Sequence, residues 1–141
     1  MIEIKNILKK QILTLDGAMG SLIQTHSLSE LDYRGEILSD HPQDLKGNHD
    51  ILSLTRPDII HSIHSLYLEA GADIIETNTF NANAISQSDY GLEHLVYQLN
   101  LESAKIAKNV TRAVTNKNPE KPRYVAGILG PTNRTCSMSP K

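Results

Sequence analysis

Three short apolar runs punctuate the chain: Ile12 to Leu15, Ile74 and Ile75 with their flanks, and Tyr124 to Leu129. Each is nearly continuous rather than alternating, the pattern of strands buried on both faces, as parallel strands covered by helices are. Between them apolar residues recur at helical spacing. Pro57 suits the first turn of a helix, and Thr55 and Asp58 stand at capping-box spacing ahead of an apolar run. The stripe that follows is Ile59, Ile60, Ile63, Leu66, Tyr67 and Ala70, and Gly71 can supply the left-handed stop. A second amphipathic helix carries Leu92, Leu95, Val96, Leu99, Ile106, Ala107, Val110 and Val114 on one side, with Lys105, Lys108 and Arg112 mostly elsewhere. A helix-breaking cluster from Asn116 to Pro122 ends it.

Strand, helix, strand, helix, strand is a βαβαβ succession, which the right-handed crossover rule turns into adjacent parallel strands with helices outside. No linker or second domain is visible, so residues 1–141 read as one α/β unit. The segment Ile2 to Lys10 is expected to form a leading helix that closes the bottom of the sheet. From Ser21 to Thr55 runs a long excursion that still carries Leu22, Ile23, Ile37, Leu38, Ile51 and Leu54. Structureless loops of that length are uncommon in compact domains, so short helices folded over the strand ends are expected there.

Composition narrows the possible functions. The 141 residues are 39% hydrophobic and 21% charged, with a net charge of −2, which is ordinary for a globular chain and offers no basic field for nucleic acid or a membrane surface. Lys5, Lys9 and Lys10 interrupt the N-terminal run, which therefore lacks a signal-peptide core, and no stretch approaches ~20 apolar residues. With a single cysteine, Cys136, no internal disulfide can form. These points together predict a cytoplasmic protein, in which the Asn-x-Thr sequons at Asn109 and Asn133 are chance.

Chemistry concentrates after the strands. Asp16-Gly17-Ala18-Met19-Gly20, Glu76-Thr77-Asn78-Thr79 and Gly130-Pro131-Thr132-Asn133 are polar or glycine-bearing turns, and parallel strands deliver such turns to one face. Backbone N–H groups after Asp16 would receive an amino acid's α-carboxylate, and Asp16 or Glu76 its ammonium group. Blander readings stand beside this one: Asp-Gly is also a hairpin signal, and Glu76 could be a structural acid satisfying neighbouring amides. His61 and His64 lie three apart on the first long helix, on its polar side, and read as a solvated face. His26, His41, His49 and His94 show no ligand spacing with Cys136, itself read as a loop thiol, so a four-ligand zinc site within the chain is not expected.

Four blocks, LTLDGAMGSLIQ, LKGNHDILSLTRPDII, LEAGADIIETNTFNANAISQSDYGLEHL and VAGILGPTNRT, resemble consecutive blocks of the cobalamin-dependent methionine synthase family, in the family's order and across nearly the whole chain. The resemblance implies the N-terminal, zinc-dependent homocysteine-binding module, a (β/α)₈ TIM barrel attached to folate, cobalamin and activation domains. In that family a methyl group passes from methyltetrahydrofolate through cobalamin to homocysteine, giving methionine. The resemblance further implies that Asp16, Gly17, Ala18, Met19, Glu76, Asn78 and Thr79 bind substrate, with Asn48 and the Gly130 to Asn133 turn shaping the mouth. Ser21 and His49 depart locally from the family pattern, which more often has Thr and Asn there.

By the same resemblance, zinc is held by three cysteines near the end of the barrel, which nothing in this chain matches. No metal ligand and no catalytic residue is therefore assigned here. A (β/α)₈ barrel typically takes ~250 residues, so the chain is expected to supply the first three or so βα units of an incomplete barrel, C-terminally truncated, and to be inactive and aggregation-prone alone. Two alternatives remain open at this level. One is another zinc homocysteine S-methyltransferase, using betaine or S-methylmethionine as donor; the other is a non-catalytic homocysteine-binding fragment.

Overall fold

The three apolar runs lie side by side and parallel in the computed structural model, which describes residues 4–132 and 134. Strand β1 (Ile74–Glu76) is central. It pairs in parallel with β2 (Tyr124–Ala126), Ile74 facing Tyr124 and Glu76 facing Ala126, and on its other side Ile74 bridges Leu15, also in parallel.

The first run is not a full strand. Only Leu15 bridges, and Ile12 is 92% exposed. The reason lies at Thr14, whose N–H and hydroxyl both donate to the Asp73 carboxylate at 3.0 Å, a side-chain contact that stands in place of a longer backbone ladder. The third run is likewise shorter than its apolar length, since Leu129 is 99% exposed. Beyond Ala126, side chains take over from the ladder: the Ile128 N–H donates to the Thr77 hydroxyl and its carbonyl accepts from Thr79.

Burial on both faces is also corrected. Ile75 is fully buried against Leu68, Ala107 and Val110, while Ile74, Glu76 and all of β2 are half-buried. Side chains alternate across a strand, so Ile75 points to the helices and its neighbours to the opposite face, which no helix covers among the described residues.

Helix α1 (Ile4–Leu8) precedes the sheet, and Ile7 and Lys10 share a cavity with Leu13, Asp73 and Pro122 beside the strand starts, at the end of the sheet where a leading helix was expected. The excursion folds into short helices: α2 (Met19–Thr25), α3 (Glu30–Arg34), a 3₁₀ turn over His49–Ile51 and α4 (Leu52–Thr55). Ile23, Tyr33, Leu45, Ile51 and Leu52 from this segment join Ile59, Ile60, Ile63 and Leu99 in the larger apolar cluster. The excursion thus supplies five of the eleven buried residues of that cluster. Its capping box is at Ser29 and Asp32, whose side chain and backbone groups bond reciprocally.

Helix α5 (Pro57–Glu69) starts at the anticipated proline, but the Thr55–Asp58 box does not form: Arg56 is the N-cap, Asp58 pairs with the Arg56 guanidinium, and the Thr55 hydroxyl donates to the Ile51 carbonyl at 3.4 Å. Gly71, at φ +110°, supplies the left-handed exit. The buried stripe differs from expectation. Leu66 and Ala70 are exposed, whereas His64 and Leu68 are buried, because Ile60, His64 and Leu68 form a single i, i+4 ladder facing inward. His64 is 0% exposed with neither ring nitrogen hydrogen-bonded, so its assignment to a solvated face was wrong; His61 is exposed as anticipated.

Three short turns follow β1, namely α6 (Ala84–Gln87) and 3₁₀ turns at Ser88–Tyr90 and Glu93–Leu95. The long helix α7 (Val96–Lys117) then packs against α5 and the sheet through Leu99, Ser103, Ala107, Val110 and Thr111, leaving Lys105, Lys108 and Arg112 outside. No described helix is long and apolar enough to cross a membrane. Cys136 and Asn133 lie outside the described residues.

Candidate functional site

All three run-ends open on one cavity of about 390 Å³ at the C-terminal end of the strands. Its walls are the 16–20 turn, the 76–81 turn, the His49-Asp50 step of the excursion, and Ile128 beyond β2. The structure brings together Asp16, Gly17, Ala18, Met19, Glu76, Asn78 and Thr79, every residue singled out for substrate contact. Asn48 is placed elsewhere. It is 2% exposed and bonds reciprocally with Gln87 (2.8 and 3.2 Å), and it is not among the residues lining the cavity. From the Gly130 turn no described residue lines the cavity. Gly130 instead packs on the Phe80 carbonyl so closely that a Cβ there would overlap it, which ties the loop after β2 to the 76–81 turn.

Each polar wall group has a definite orientation. The Asp16 carboxylate accepts the Glu76 backbone N–H at 3.0 and 3.1 Å, joining the first and second strand ends. Partial burial, with the neighbouring Glu76 charge adding to it, raises the Asp16 carboxyl to about 6 against the pull of that N–H. The Glu76 carboxylate makes no hydrogen bond or ion pair among the described residues, so it is not serving as a structural acid for nearby amides. Asp50 is buried and accepts the Asn81 N–H at 2.8 Å, and burial also raises it to about 6.

Below this level a hydrogen-bonded layer fixes the second turn. The Asn78 amide donates to the His49 carbonyl (2.8 Å) and to the Ser53 hydroxyl (3.2 Å), while the Ser103 hydroxyl of α7 lies 2.6 Å from Ser53 and 3.1 Å from the Asn78 carbonyl. Thr77 and Thr79 hydroxyls meet at 2.7 Å. Asn78 and Thr79 therefore shape the cavity floor with side chains already engaged, leaving Asp16, Glu76, the Nε2 edge of His49 and the backbone of 17–19 as groups with capacity for a ligand.

Sequence reasoning passed over His49 and Asp50 as site residues. The available signal was a polar Asn48-His49-Asp50 triplet set between Leu45 and the apolar Ile51-Leu52 inside the excursion, where polar residues flanked by core positions must face either partners or a cavity.

Among the described residues no three His, Cys, Asp or Glu side chains are grouped as a metal site. Asp16 and Asp50 are turned to backbone N–H groups and the His49 Nδ1 to Tyr33, so the donor set on these walls does not fit a zinc centre.

The sequence pattern of the homocysteine S-methyltransferase family matches residues 13–141. Among solved structures, the homocysteine methyltransferase MmuM from Escherichia coli is similar in its oxidized form (TM-score 0.69, 25% identity, 90% of this chain and 40% of that one). Its metallated form gives a TM-score of 0.68 at 24% identity, over 90% of this chain and 41% of that one. The apo form gives 0.61 at 23%, over 92% and 41%. The chain thus spans only 40–41% of the length of these relatives. A family match across nearly the whole chain, with the cavity at the strand ends, leads to one conclusion: the chain belongs to the homocysteine S-methyltransferase family.

Proposed function

We propose that this chain forms the opening βα units of a (β/α)₈ barrel that transfers a methyl group to homocysteine, and that the cavity at its strand ends is part of the homocysteine pocket. The observation that carries the reading is the convergence of the Asp16, Glu76 and Ile128 segments on one cavity. The substrate's ammonium group pairs with Asp16 and Glu76, and its α-carboxylate meets the backbone N–H groups of Gly17 to Met19, where glycine permits close approach. Asn78 and Thr79 hold the floor. Methyl transfer needs the homocysteine sulfur as thiolate.

Within the family, the finer reading is methionine synthase, with cobalamin, folate and activation domains in the same polypeptide. The four sequence blocks support it. A betaine or S-methylmethionine donor is the competing assignment.

The test is homocysteine binding by titration calorimetry on the complete barrel, beside Asp16→Asn and Glu76→Gln. Each substitution should weaken binding about ten-fold, the scale of one charge-assisted hydrogen bond. Unchanged affinity in both variants sinks the pocket assignment. Methyl transfer from methylcobalamin rather than from betaine or S-methylmethionine decides the donor.

A further inference from the structure

His49 sits between two cavities. It lines the strand-end cavity with Asp16 and Gly20, and on its other side it lines a second cavity with Ile23, Leu28 and Tyr33. Its ring stacks on Tyr33, with centroids 5.9 Å apart, and its Nδ1 lies 2.8 Å from the Tyr33 hydroxyl. Tyr33 is itself buried in the larger apolar cluster, so this contact anchors the imidazole to the core rather than to a mobile rim.

That contact determines which ring nitrogen carries hydrogen. An imidazole nitrogen is far more basic than a phenol oxygen, so the favourable arrangement has Tyr33 donating. Nδ1 is then the acceptor and Nε2 bears the hydrogen. Nε2 has no partner among the described residues. The adjacent ring carbon, Cδ2, stands 3.7 Å from where a Gly20 Cβ would be, so the Nε2 edge borders the glycine turn.

We propose that His49 is a positioning and specificity residue whose Nε2–H donates to the α-carboxylate of the amino-acid substrate held by the 17–20 turn, with Tyr33 fixing the tautomer. The inference rests on the homocysteine-pocket reading and deepens it: backbone N–H groups take the carboxylate from one side and a neutral imidazole from the other. A neutral donor suits a cavity already holding the Asp16, Asp50 and Glu76 carboxylates, since a cationic side chain there would pair with them instead.

The experiment compares parent, H49L, H49Q and Y33F in the complete barrel, titrated with homocysteine and with 3-aminopropanethiol, the same thiol and amine without the carboxylate. H49L should weaken homocysteine about ten-fold and leave 3-aminopropanethiol unchanged. H49Q, whose amide N–H reaches the Nε2 position, should restore most of the loss. Y33F should weaken homocysteine less than H49L does, and adding Y33F to H49L should cost nothing further. In turnover, KM for homocysteine should rise with kcat unchanged. Equal weakening of both ligands by H49L, or no weakening of either, overturns the assignment of His49. If the parent itself fails to bind homocysteine, or both Asp16→Asn and Glu76→Gln leave binding intact, the pocket reading falls first and this inference with it.

Discussion

Replacing His64 by leucine should stabilise the α5–α7 layer, and by more at low pH than at neutral pH. In the parent the imidazole is fully enclosed on the Ile60–His64–Leu68 ladder with both nitrogens unpaired. Burial, with a smaller contribution from nearby His61, pushes it from an ordinary 6.5 down to about 4. The folded value is depressed, so between pH 6.5 and 4 the unfolded chain holds a proton that the folded chain refuses, and stability falls as pH falls through that window. The slope is up to about 1.4 kcal/mol per pH unit, which accumulates to about 2 kcal/mol at pH 5 and about 3 kcal/mol at pH 4. Leucine removes this dependence and also two unsatisfied polar atoms, worth about 1–3 kcal/mol even at pH 7.5. Asp16 and Asp50, raised to about 6, act in the opposite sense, their carboxyl forms favouring the folded state as pH falls. They are present in both proteins, so the difference between variant and parent isolates His64. Hydrogen exchange of the α5 amides, corrected for intrinsic rates, reads the opening free energy without requiring a cooperative melt. A variant-minus-parent difference that is the same at pH 5 and pH 7.5 would refute the argument, since it would mean that His64 takes up its proton normally in the folded chain.

Two further outcomes are expected. Homocysteine affinity should fall as pH drops below about 6, by at most ten-fold per unit, because the Asp16 carboxyl loses the charge that holds the ammonium group; calorimetry at pH 5 and 7.5 should show the drop in the parent and a flatter profile in Asp16→Asn. Gly130→Ala should displace the loop after β2 from the 76–81 turn, because its Cβ would overlap the Phe80 carbonyl, at a cost of about 1–3 kcal/mol. Faster hydrogen exchange at Thr77 to Phe80 reports that displacement, and unchanged exchange there removes the claimed contact.

The parallel order of the three runs, the two long helices and the placement of polar turns at one end were legible in the sequence, because apolar period and punctuation by Pro57 and Gly71 are local properties. So in part was the content of the excursion: Ile23, Tyr33, Leu45, Ile51 and Leu52 join the larger cluster, while Leu31 and Ile37 stay exposed. Strand lengths were not legible. Ile12 and Leu129 are apolar enough for a strand, but whether a backbone ladder continues depends on competing donors and acceptors, here Asp73 at Thr14 and the Thr77 and Thr79 hydroxyls at Ile128. Nor could the chain's order of residues reveal that His64 faces inward. Residue type marks it as polar, and only the packing of α5 on α7 selects the helix face through Ile60 and Leu68 on which it sits. The candidate site divides in the same way. Asp16, Glu76, Asn78 and Thr79 follow from strand ends, which sequence locates, whereas His49 and Asp50 reach the cavity from a distant loop whose path is set by tertiary contacts such as the Asn78–His49 and Asn81–Asp50 hydrogen bonds. Local pattern determines what each segment can form; which groups then meet depends on distances between segments far apart in the chain, and those exist only once the core has closed.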